Sequence, residues 1–359
     1  MADKSAIEWT DATWTPIRAR NRATGKVGWH CEHDTTGCQF CYSEGFNKRL
    51  GTGLPFKPGH RKDIDIFLDE EMLTAPLRWK KPRMIFVCSM TDLFADFVPD
   101  EWIDKVFAIM ALAPQHTFQV LTKRAKRMRE YLTQHRTVQQ ADVRNRLAWE
   151  TTIDVMSLWF PDWKREGIDG PHRSRAIAAF TAWPLPNVWL GVSAERQQEA
   201  DERIPELLAT PAAVRFVSAE PLLGPIDFGK IIRAATFAGR LYPDGKTGPI
   251  GWIIVGGESG PSARPMHPAW ARSIRDQCRA AGVHFFFKQW GGWQIASQEN
   301  GHFDNDMSTN DASWVAVDGR LHKPSSHGLI DPIAMWRVGK KAAGRLLDGI
   351  EHNAMPEAR

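Results

Sequence analysis

Short apolar runs alternate with amphipathic helical stretches along most of this 359-residue chain, and this alternation is the strongest constraint on its fold. The runs are rich in Val, Ile and Phe, as expected of strands that are buried on both faces. They lie at 84–87, 117–121, 188–192, 214–217, 252–255 and 283–287. Helical patterns lie between them at about 99–113, 200–208 and 267–281. The alternation predicts a parallel sheet with helices packed outside it.

With one more strand expected at about 26–30, the pattern predicts an α/β fold. We expect a full or partial (β/α) barrel of the TIM type, with about six to seven parallel strands. A doubly wound open sheet is the alternative. We assign this barrel to residues 1–292, with a polar insertion at about 133–186 that we expect to be helical. Residues 293–359 then form a C-terminal extension that ends in a basic helix at about 335–347.

The composition excludes several classes of protein. No apolar run is long enough to cross a membrane, and the first residues contain no signal-peptide-like stretch, so we expect a cytoplasmic protein without membrane association. The chain has 46 Lys and Arg against 42 Asp and Glu, a net charge of +4. This balance permits a polyanionic partner without requiring one. Five cysteines, an odd number, argue against a disulfide framework in a reducing compartment.

Polar side chains follow each predicted strand. Because the carboxyl ends of barrel strands meet at one rim, these side chains are expected to converge there. Any single one can be a turn former or a helix cap, but six strands that each deliver such a group predict a polar, charged pocket. Those we select are Ser89, Asp92, Lys123, Ser193, Glu195, Ser218, Glu220, Glu258 and Lys288.

Three cysteines, Cys31, Cys38 and Cys41, fall within eleven residues in the spacing C-x6-C-x2-C. Thiols this close in sequence can surround one metal centre, and three interpretations are open. The thiolates can hold a [4Fe–4S] cluster and leave one iron without a protein ligand. They can form a structural Zn²⁺ site with His30 or His33 as the fourth ligand. They can also be reduced cysteines without a metal.

The other two cysteines bear on this choice. A zinc site usually combines one close pair of ligands with a second pair further along the chain. Cys88 and Cys278 are isolated in the sequence, so neither belongs to such a pair. The spacing therefore favours the iron–sulfur cluster over zinc.

Cys38-Gln39-Phe40-Cys41 is similar to the second half of the cysteine motif of the radical S-adenosylmethionine (SAM) superfamily. The first gap is six residues here and typically three in that superfamily, although longer gaps occur among divergent members. Over most of its length the chain resembles a phage and bacterial three-Cys-motif family that is radical-SAM-like. The motifs that carry this resemblance are IEWTDATW at 7–14, SMTDLF at 89–94, FQVLTK at 118–123, SAEPL at 218–222, GGESG at 256–260, FKQWG at 287–291 and RVGKK at 337–341.

The resemblance implies a radical SAM enzyme with a [4Fe–4S] cluster on the three cysteines and SAM on the remaining iron. It implies an electron donor of the reductase or flavodoxin type, and a position near the adenine for Phe40. The side chains expected to contact SAM are Ser89, Asp92, Ser193 and Glu195. Those expected to act on the substrate are Glu220, Glu258, Lys288 and Lys123.

The substrate is less constrained. The basic stretch at 123–129, the insertion and the expected C-terminal basic helix favour nucleic acid modification or repair. A solvated helix face is the simpler explanation of such a stretch. A radical enzyme for a small molecule or a peptide is a second hypothesis. A zinc-stabilised nucleic-acid-binding module without catalysis is a third.

Overall fold

The computed structural model describes residues 4–133, 184–229, 250–296, 312–322 and 331–357. Within them the strands, in chain order, are β1 (Ala12–Trp14), β2 (Ile17–Asn21), β3 (Val27–Gly28), β4 (Ile64–Leu68), β5 (Met84–Val87), β6 (Thr117–Thr122), β7 (Val188–Ser193), β8 (Val214–Ala219), β9 (Trp252–Gly256), β10 (His284–Gln289), β11 (Trp293–Ile295), β12 (Ala312–Val315), β13 (Leu321–His322) and β14 (Ile333–Arg337). The helices are α1 (Tyr42–Leu50), α2 (Glu70–Leu73), α3 (Ala75–Arg78), α4 (Asp100–Leu112), α5 (Ala125–Thr133), α6 (Gln197–Leu208), α7 (Pro268–Ala281) and α8 (Lys340–Ala343). Two short 3-10 helices lie at Thr36–Cys38 and Pro58–Asp63.

Seven parallel strands form the main sheet, in the order β1-β5-β6-β7-β8-β9-β10. Each strand pairs with the next, and β1 does not pair with β10, so the curled sheet is a partial barrel. The order never reverses, as it would in a doubly wound sheet. The helices α4 to α7 follow strands and bury apolar faces in a core shared with the sheet. The predicted (β/α) barrel is therefore confirmed in its partial form.

The six apolar runs all become barrel strands, but the predicted strand at 26–30 was wrong. Only Val27–Gly28 is a strand there, and it pairs antiparallel with β2 in a small sheet of order β3-β2-β4. The first barrel strand is β1, whose Ala12 and Trp14 are completely buried. Val27 is exposed, and its segment lacks the apolar side chains that a strand in a buried parallel sheet requires.

The concave face of the sheet is filled with aromatic rings near the amino ends of the strands. Trp252 lies at the centre, with its ring edge-on to Trp9 at 6.1 Å and to Trp189 at 5.9 Å between centroids. Gly191 leaves the room that the Phe216 ring occupies, since a Cβ there would overlap it. The residues of this aromatic floor are Trp9, Phe86, Trp189, Phe216, Trp252, Ile254 and Phe286.

The C-terminal extension contains a second sheet, antiparallel, in the order β11-β14-β12-β13. The basic helix predicted at about 335–347, with Arg337, Lys340, Lys341 and Arg345, was wrong. Residues 333–337 form β14, which pairs with β11 and β12, and Met335 is fully buried. Gly339, at φ 82°, separates this strand from α8, a single helical turn. Residues 333–337 therefore form a strand despite the local helical pattern, because pairing with β11 and β12 and the burial of Met335 stabilise the extended conformation.

The last described residues return to the barrel. The backbone N–H of Phe287 donates to the carbonyl oxygen of His352, and the indole of Trp252 donates to that of Ala354. This segment covers the outer edge of β10, which would otherwise be open to pairing with another chain. The insertion predicted at about 133–186 lies almost wholly outside the described residues. No helix within those residues has the length and apolar character needed to span a bilayer.

Candidate active site

A cavity of about 240 Å³ lies at the carboxyl ends of the barrel strands. It collects side chains from the cysteine loop, defined here as residues 30–41, and from the ends of most barrel strands. Twelve of the thirteen site residues predicted from the sequence line it. They are Cys31, Cys38, Phe40, Cys41, Ser89, Asp92, Lys123, Ser193, Ser218, Glu220, Glu258 and Lys288. Glu195 is the predicted residue that does not line the cavity.

The three thiols of the cysteine loop share this cavity and lie close enough to interact electrostatically. Burial raises the pKa of the Cys31 thiol, and the carboxylate of Asp92 adds to this rise while Arg124 opposes it. Burial also raises the pKa of Cys41. The thiols of Cys31 and Cys41 are therefore protonated in the absence of a metal, and a metal that binds them must displace their protons.

Glu195 fixes the cysteine loop to the end of β7. Its carboxylate is completely buried, pairs with the ammonium of Lys123, and accepts a hydrogen bond of 3.1 Å from Arg203 and one of 3.2 Å from Thr35 in the loop. A Cβ on Gly37 would overlap this carboxylate, so glycine is required for the close approach. Glu195 was expected to contact SAM, but both of its carboxylate oxygens already contact Lys123, Arg203 or Thr35.

Glu258 fixes the same loop from the side of β9. It forms a bidentate ion pair with Arg264, at 2.8 Å from Nε and 2.6 Å from Nη2. Arg264 also donates to the carbonyl oxygen of Thr36 at 3.0 Å, and its guanidinium lies over the ring of Phe40 at 5.2 Å. Both carboxylate oxygens of Glu258, a residue predicted to act on the substrate, therefore accept hydrogen bonds from Arg264. Through Arg264, Glu258 positions the cysteine loop.

Asp92 provides a third anchor, after β5. It accepts from the hydroxyl of Thr122 at 2.7 Å and from the guanidinium of Arg124 at 3.3 Å. Arg124 donates in turn to the carbonyl oxygen of Glu32 in the loop at 2.8 Å. Bidentate and charge-assisted bonds of this kind hold a definite geometry. The cysteine loop is thus held from three strands by carboxylates and their cationic partners.

Glu220 and Lys288 form the ion pair that faces the cavity. Their charged atoms are 3.1 Å apart, and the hydroxyl of Ser218 donates to the second carboxylate oxygen at 3.2 Å. Burial opposes the charge on Lys288, but Glu220, Tyr42 and Glu8 together outweigh it and raise the pKa of Lys288, with Glu220 contributing most. The lysine is therefore a permanent cation at neutral pH, suited to bind an anionic or carbonyl oxygen rather than to accept a proton.

Gln289 is a cavity residue that the sequence reasoning did not select. Alternation along β10 would direct Lys288 inward and Gln289 outward, but the pairing with β9 shifts register between Phe287 and Gln289. Both side chains consequently line the cavity. The Gln289 amide donates to Ser259 at 3.0 Å, and its buried oxygen has no hydrogen-bond partner among the described residues. An amino or hydroxyl group of a ligand can supply that partner.

The two histidines of the cysteine loop are directed toward carboxylates. His33 lies 2.7 Å from Glu44, and His30 lies 3.4 Å from Glu32. Neither lines the cavity. In the described part of the chain, no three His, Cys, Asp or Glu side chains are placed to hold one metal ion. A single zinc ion needs ligands within about 4 Å of each other, since Zn–S bonds are about 2.3 Å, whereas a four-iron cluster binds thiolates that are further apart.

The fold and the site define a partial (β/α) barrel protein with a three-cysteine loop at the carboxyl ends of its strands. A family model described as Protein of unknown function (DUF5131) matches residues 4–356, and the chain belongs to this family. Neither the curated proteins nor the solved structures contain a match to the chain.

Proposed function

We propose that the chain is a radical SAM enzyme whose Cys31, Cys38 and Cys41 hold a [4Fe–4S] cluster. The observation that carries this proposal is that these three thiols line one cavity at the carboxyl ends of the barrel strands, while His30 and His33 do not. Three soft donors from one loop suit a cluster that leaves one iron for a small molecule. The fourth thiol of the cavity, Cys88, follows β5 and does not belong to this loop. The resemblance of the cysteine motif to that superfamily supports the same conclusion.

With SAM bound, such a cluster supplies the electron that cleaves SAM to methionine and a carbon radical able to take hydrogen from a substrate. The chain's own residues provide the setting for this chemistry. Arg124 and the loop anchors Glu195 and Glu258 hold the thiols in position before any ligand arrives, which reduces the reorganisation needed on binding. The electron comes from a cytoplasmic donor of the reductase or flavodoxin type.

The remaining cavity residues divide between cofactor and substrate. Ser89, Ser193 and the Gln289 amide offer uncharged hydrogen-bonding groups that suit the ribose and adenine of SAM, and Phe40 offers a ring to the adenine. The Glu220–Lys288 pair is the charged group left to bind the substrate. Asp92, Glu195 and Glu258 act as positioning residues, since their oxygens already bind Arg124, Lys123 and Arg203, and Arg264.

The test is anaerobic reconstitution with iron and sulfide, followed by dithionite and SAM. We expect a brown protein with absorbance at about 400 nm from thiolate-bound iron, and formation of 5′-deoxyadenosine. Cys38→Ala should lose both the bound iron and the product. Cys88→Ala, which removes a thiol of the same cavity outside the trio, and Cys278→Ala, which removes a buried thiol in α7, are the matched controls and should keep them.

Two results would overturn the proposal. The first is a reconstituted, folded protein that holds no iron, or that holds one zinc ion instead. The second is a Cys38→Ala protein with the same iron content as Cys88→Ala, because the cluster would then not depend on the trio. Circular dichroism of each variant separates loss of the cluster from loss of the fold.

A further inference from the structure

The basic stretch at 123–129, which suggested a nucleic acid partner, forms ion pairs within the protein. Four of its five cations pair with carboxylates on neighbouring elements, and the fifth, Lys126, is exposed and lies 3.9 Å from Glu130 of its own helix. These ion pairs are Lys123 with Glu195, Arg124 with Asp92, Arg127 with Asp100 and Arg129 with Glu206. The stretch at 123–129 is therefore not a free cationic surface, and the expected C-terminal basic helix is absent from the described fold, as shown above.

Positive charge is concentrated instead around the cysteine loop. Residues 17–62 contain nine Lys and Arg but three Asp and Glu, a net charge of +6, whereas the whole chain carries +4. The three carboxylates, Glu32, Asp34 and Glu44, are all neutralised by ion pairs. Five exposed cations of the segment make no ion pair with any residue that the structure describes. They are Arg20, Lys26, Arg49, Lys57 and Lys62.

An exposed apolar stripe runs along α1, the helix that follows Cys41 directly. Tyr42, Phe46 and Leu50 are spaced four residues apart, so they share one helical face, and they are 50, 44 and 66% exposed. Tyr42 and Phe46 are the aromatic residues among the exposed large hydrophobic side chains of the described part of the chain. The guanidinium of Arg49 lies over the Phe46 ring at 5.2 Å. Contiguous exposed apolar side chains of this kind mark surfaces at which a partner binds.

The stripe begins at the cavity. Tyr42 lines the cavity and donates from its hydroxyl to the carbonyl oxygen of Ser89 at 3.2 Å. Lys57 flanks the start of the helix, because the adjacent Phe56 donates its N–H to Glu44 of α1. Lys26 flanks the other end, because Gly28, two residues on, lies against Gly51. Cations therefore border a row of rings that leads into the site.

We propose that α1 and its bordering cations, Lys26, Arg49 and Lys57, bind a single-stranded nucleic acid and direct one of its bases to the cavity. Rings that accept stacked bases, together with cations that follow the phosphates, are the two elements of single-strand recognition. An acidic protein would match the cations, but it does not account for rings arranged in line with the cavity entrance. Delivery of a base to the cavity rests on the proposed function, whereas binding of the strand by α1 and its bordering cations does not.

The test is fluorescence anisotropy of the full-length protein with labelled dT20 and U20 strands and with a duplex of equal length. We expect dissociation constants of micromolar order for the single strands in 50 mM salt. The triple variant Lys26→Ala, Arg49→Ala, Lys57→Ala should bind at least about tenfold more weakly. It should also lower the slope of log K against log salt by about 2, since each phosphate contact on a single strand contributes about 0.7.

The matched control removes three exposed cations at the opposite end of the barrel strands, Lys80→Ala, Lys81→Ala and Arg279→Ala. It changes the net charge equally and should alter the affinity less than about threefold. Equal losses in the two triple variants would overturn the proposal, because the attraction would then depend on total charge rather than on this surface.

Substitutions of Phe46 separate base stacking from apolar contact with a protein. Phe46→Ala should weaken binding about tenfold and Phe46→Trp should retain it, since each stacked base contributes a factor of this size. Phe46→Leu keeps the apolar surface and should behave like the alanine variant. Full binding of the strands by Phe46→Leu would overturn the proposal, because Phe46 would then not stack on a base. No binding of any strand at 50 mM salt would exclude a nucleic acid and favour an acidic protein. Such a failure leaves 5′-deoxyadenosine formation unaffected, so it is distinguishable from failure of the proposed function.

Discussion

At the amino ends of the parallel strands the concave face is filled with aromatic rings, whereas at the carboxyl ends the same strands present hydroxyls, charges and thiols. Strand β7 changes from Trp189 to Ser193 over five residues, and β10 changes from Phe286 to Lys288 over three. The aromatic end is stabilised by apolar burial, which has no preferred direction. The site end is held by ion pairs and hydrogen bonds with fixed geometry.

The difference indicates how one barrel combines stability with an open polar cavity. A cavity must remain open to ligands, so it cannot be filled to stabilise the fold. The cysteine loop that forms its wall is fixed instead by buried carboxylates with cationic partners, which occupy little of the cavity. The two ends should therefore respond differently to mutation, and each prediction below measures that contrast.

The largest expected effect is at the aromatic floor. Trp252→Ala removes a side chain with no exposed surface and leaves a cavity between several rings. We expect the free energy of unfolding to fall by about 3–5 kcal/mol, the usual loss for a buried Trp. Urea unfolding followed by circular dichroism measures it. Ser218→Ala, on the same face at the site end, is the control and should cost less than about 1 kcal/mol. Similar losses in both variants would contradict the proposed contrast.

The second prediction concerns the buried anchor of the cysteine loop. Glu195→Gln preserves the shape but removes the charge that neutralises Lys123 and Arg203. Because both cations are largely buried, we expect a loss of about 2–4 kcal/mol and faster reaction of the loop cysteines with a thiol reagent. Asp65→Asn, which breaks an exposed pair with Arg22, should cost at most about 1 kcal/mol and leave thiol reactivity unchanged. Unchanged reactivity in Glu195→Gln would show that the loop does not depend on this anchor.

The sequence predicted the barrel well because strands buried on both faces must be apolar throughout, and this leaves visible runs. It missed β1 because Ala12–Trp14 is only three residues long and contains no such run. The residues at the cavity were predictable because parallel strands bring their carboxyl ends together. The roles of Glu195 and Glu258 were not, since they depend on Arg203 and Arg264, partners that only the folded structure brings into contact.

A third, smaller effect is expected within the cavity. Lys288→Met removes the ammonium that neutralises Glu220, but both groups retain some contact with solvent and Ser218 still donates to the carboxylate. We expect a loss of about 1 kcal/mol in unfolding free energy. The cluster should reconstitute normally, while turnover of a substrate should fall by more than tenfold. Lys288→Arg, which keeps the charge, should recover part of that turnover. Equal activity in the wild type and Lys288→Met would show that Lys288 does not act on the substrate.

The smallest expected effect is a difference between the two ends of the barrel in how the free energy of unfolding depends on pH. His267 begins α7 at the site end, where Nδ1 accepts the N–H of Ala269 at 3.1 Å, and His116 lies before β6 at the aromatic end. Burial lowers the pKa of both histidines. The unfolded chain therefore binds protons first, so their contribution to stability is complete above about pH 6.5 and declines as the pH falls toward the folded pKa.

His267→Asn keeps a side-chain acceptor at the start of α7 but does not titrate. Between pH 7.5 and 5.5 we expect its unfolding free energy to decrease about 1 kcal/mol less than that of the wild type. Protonation of His267 also removes the acceptor that caps α7, whereas the Nδ1 of His116 has no partner among the described residues. The pH dependence of His116→Asn should therefore differ less from that of the wild type. Urea titrations at the two pH values measure both differences, and a steeper decline for His267→Asn would mean that His267 is protonated in the folded protein.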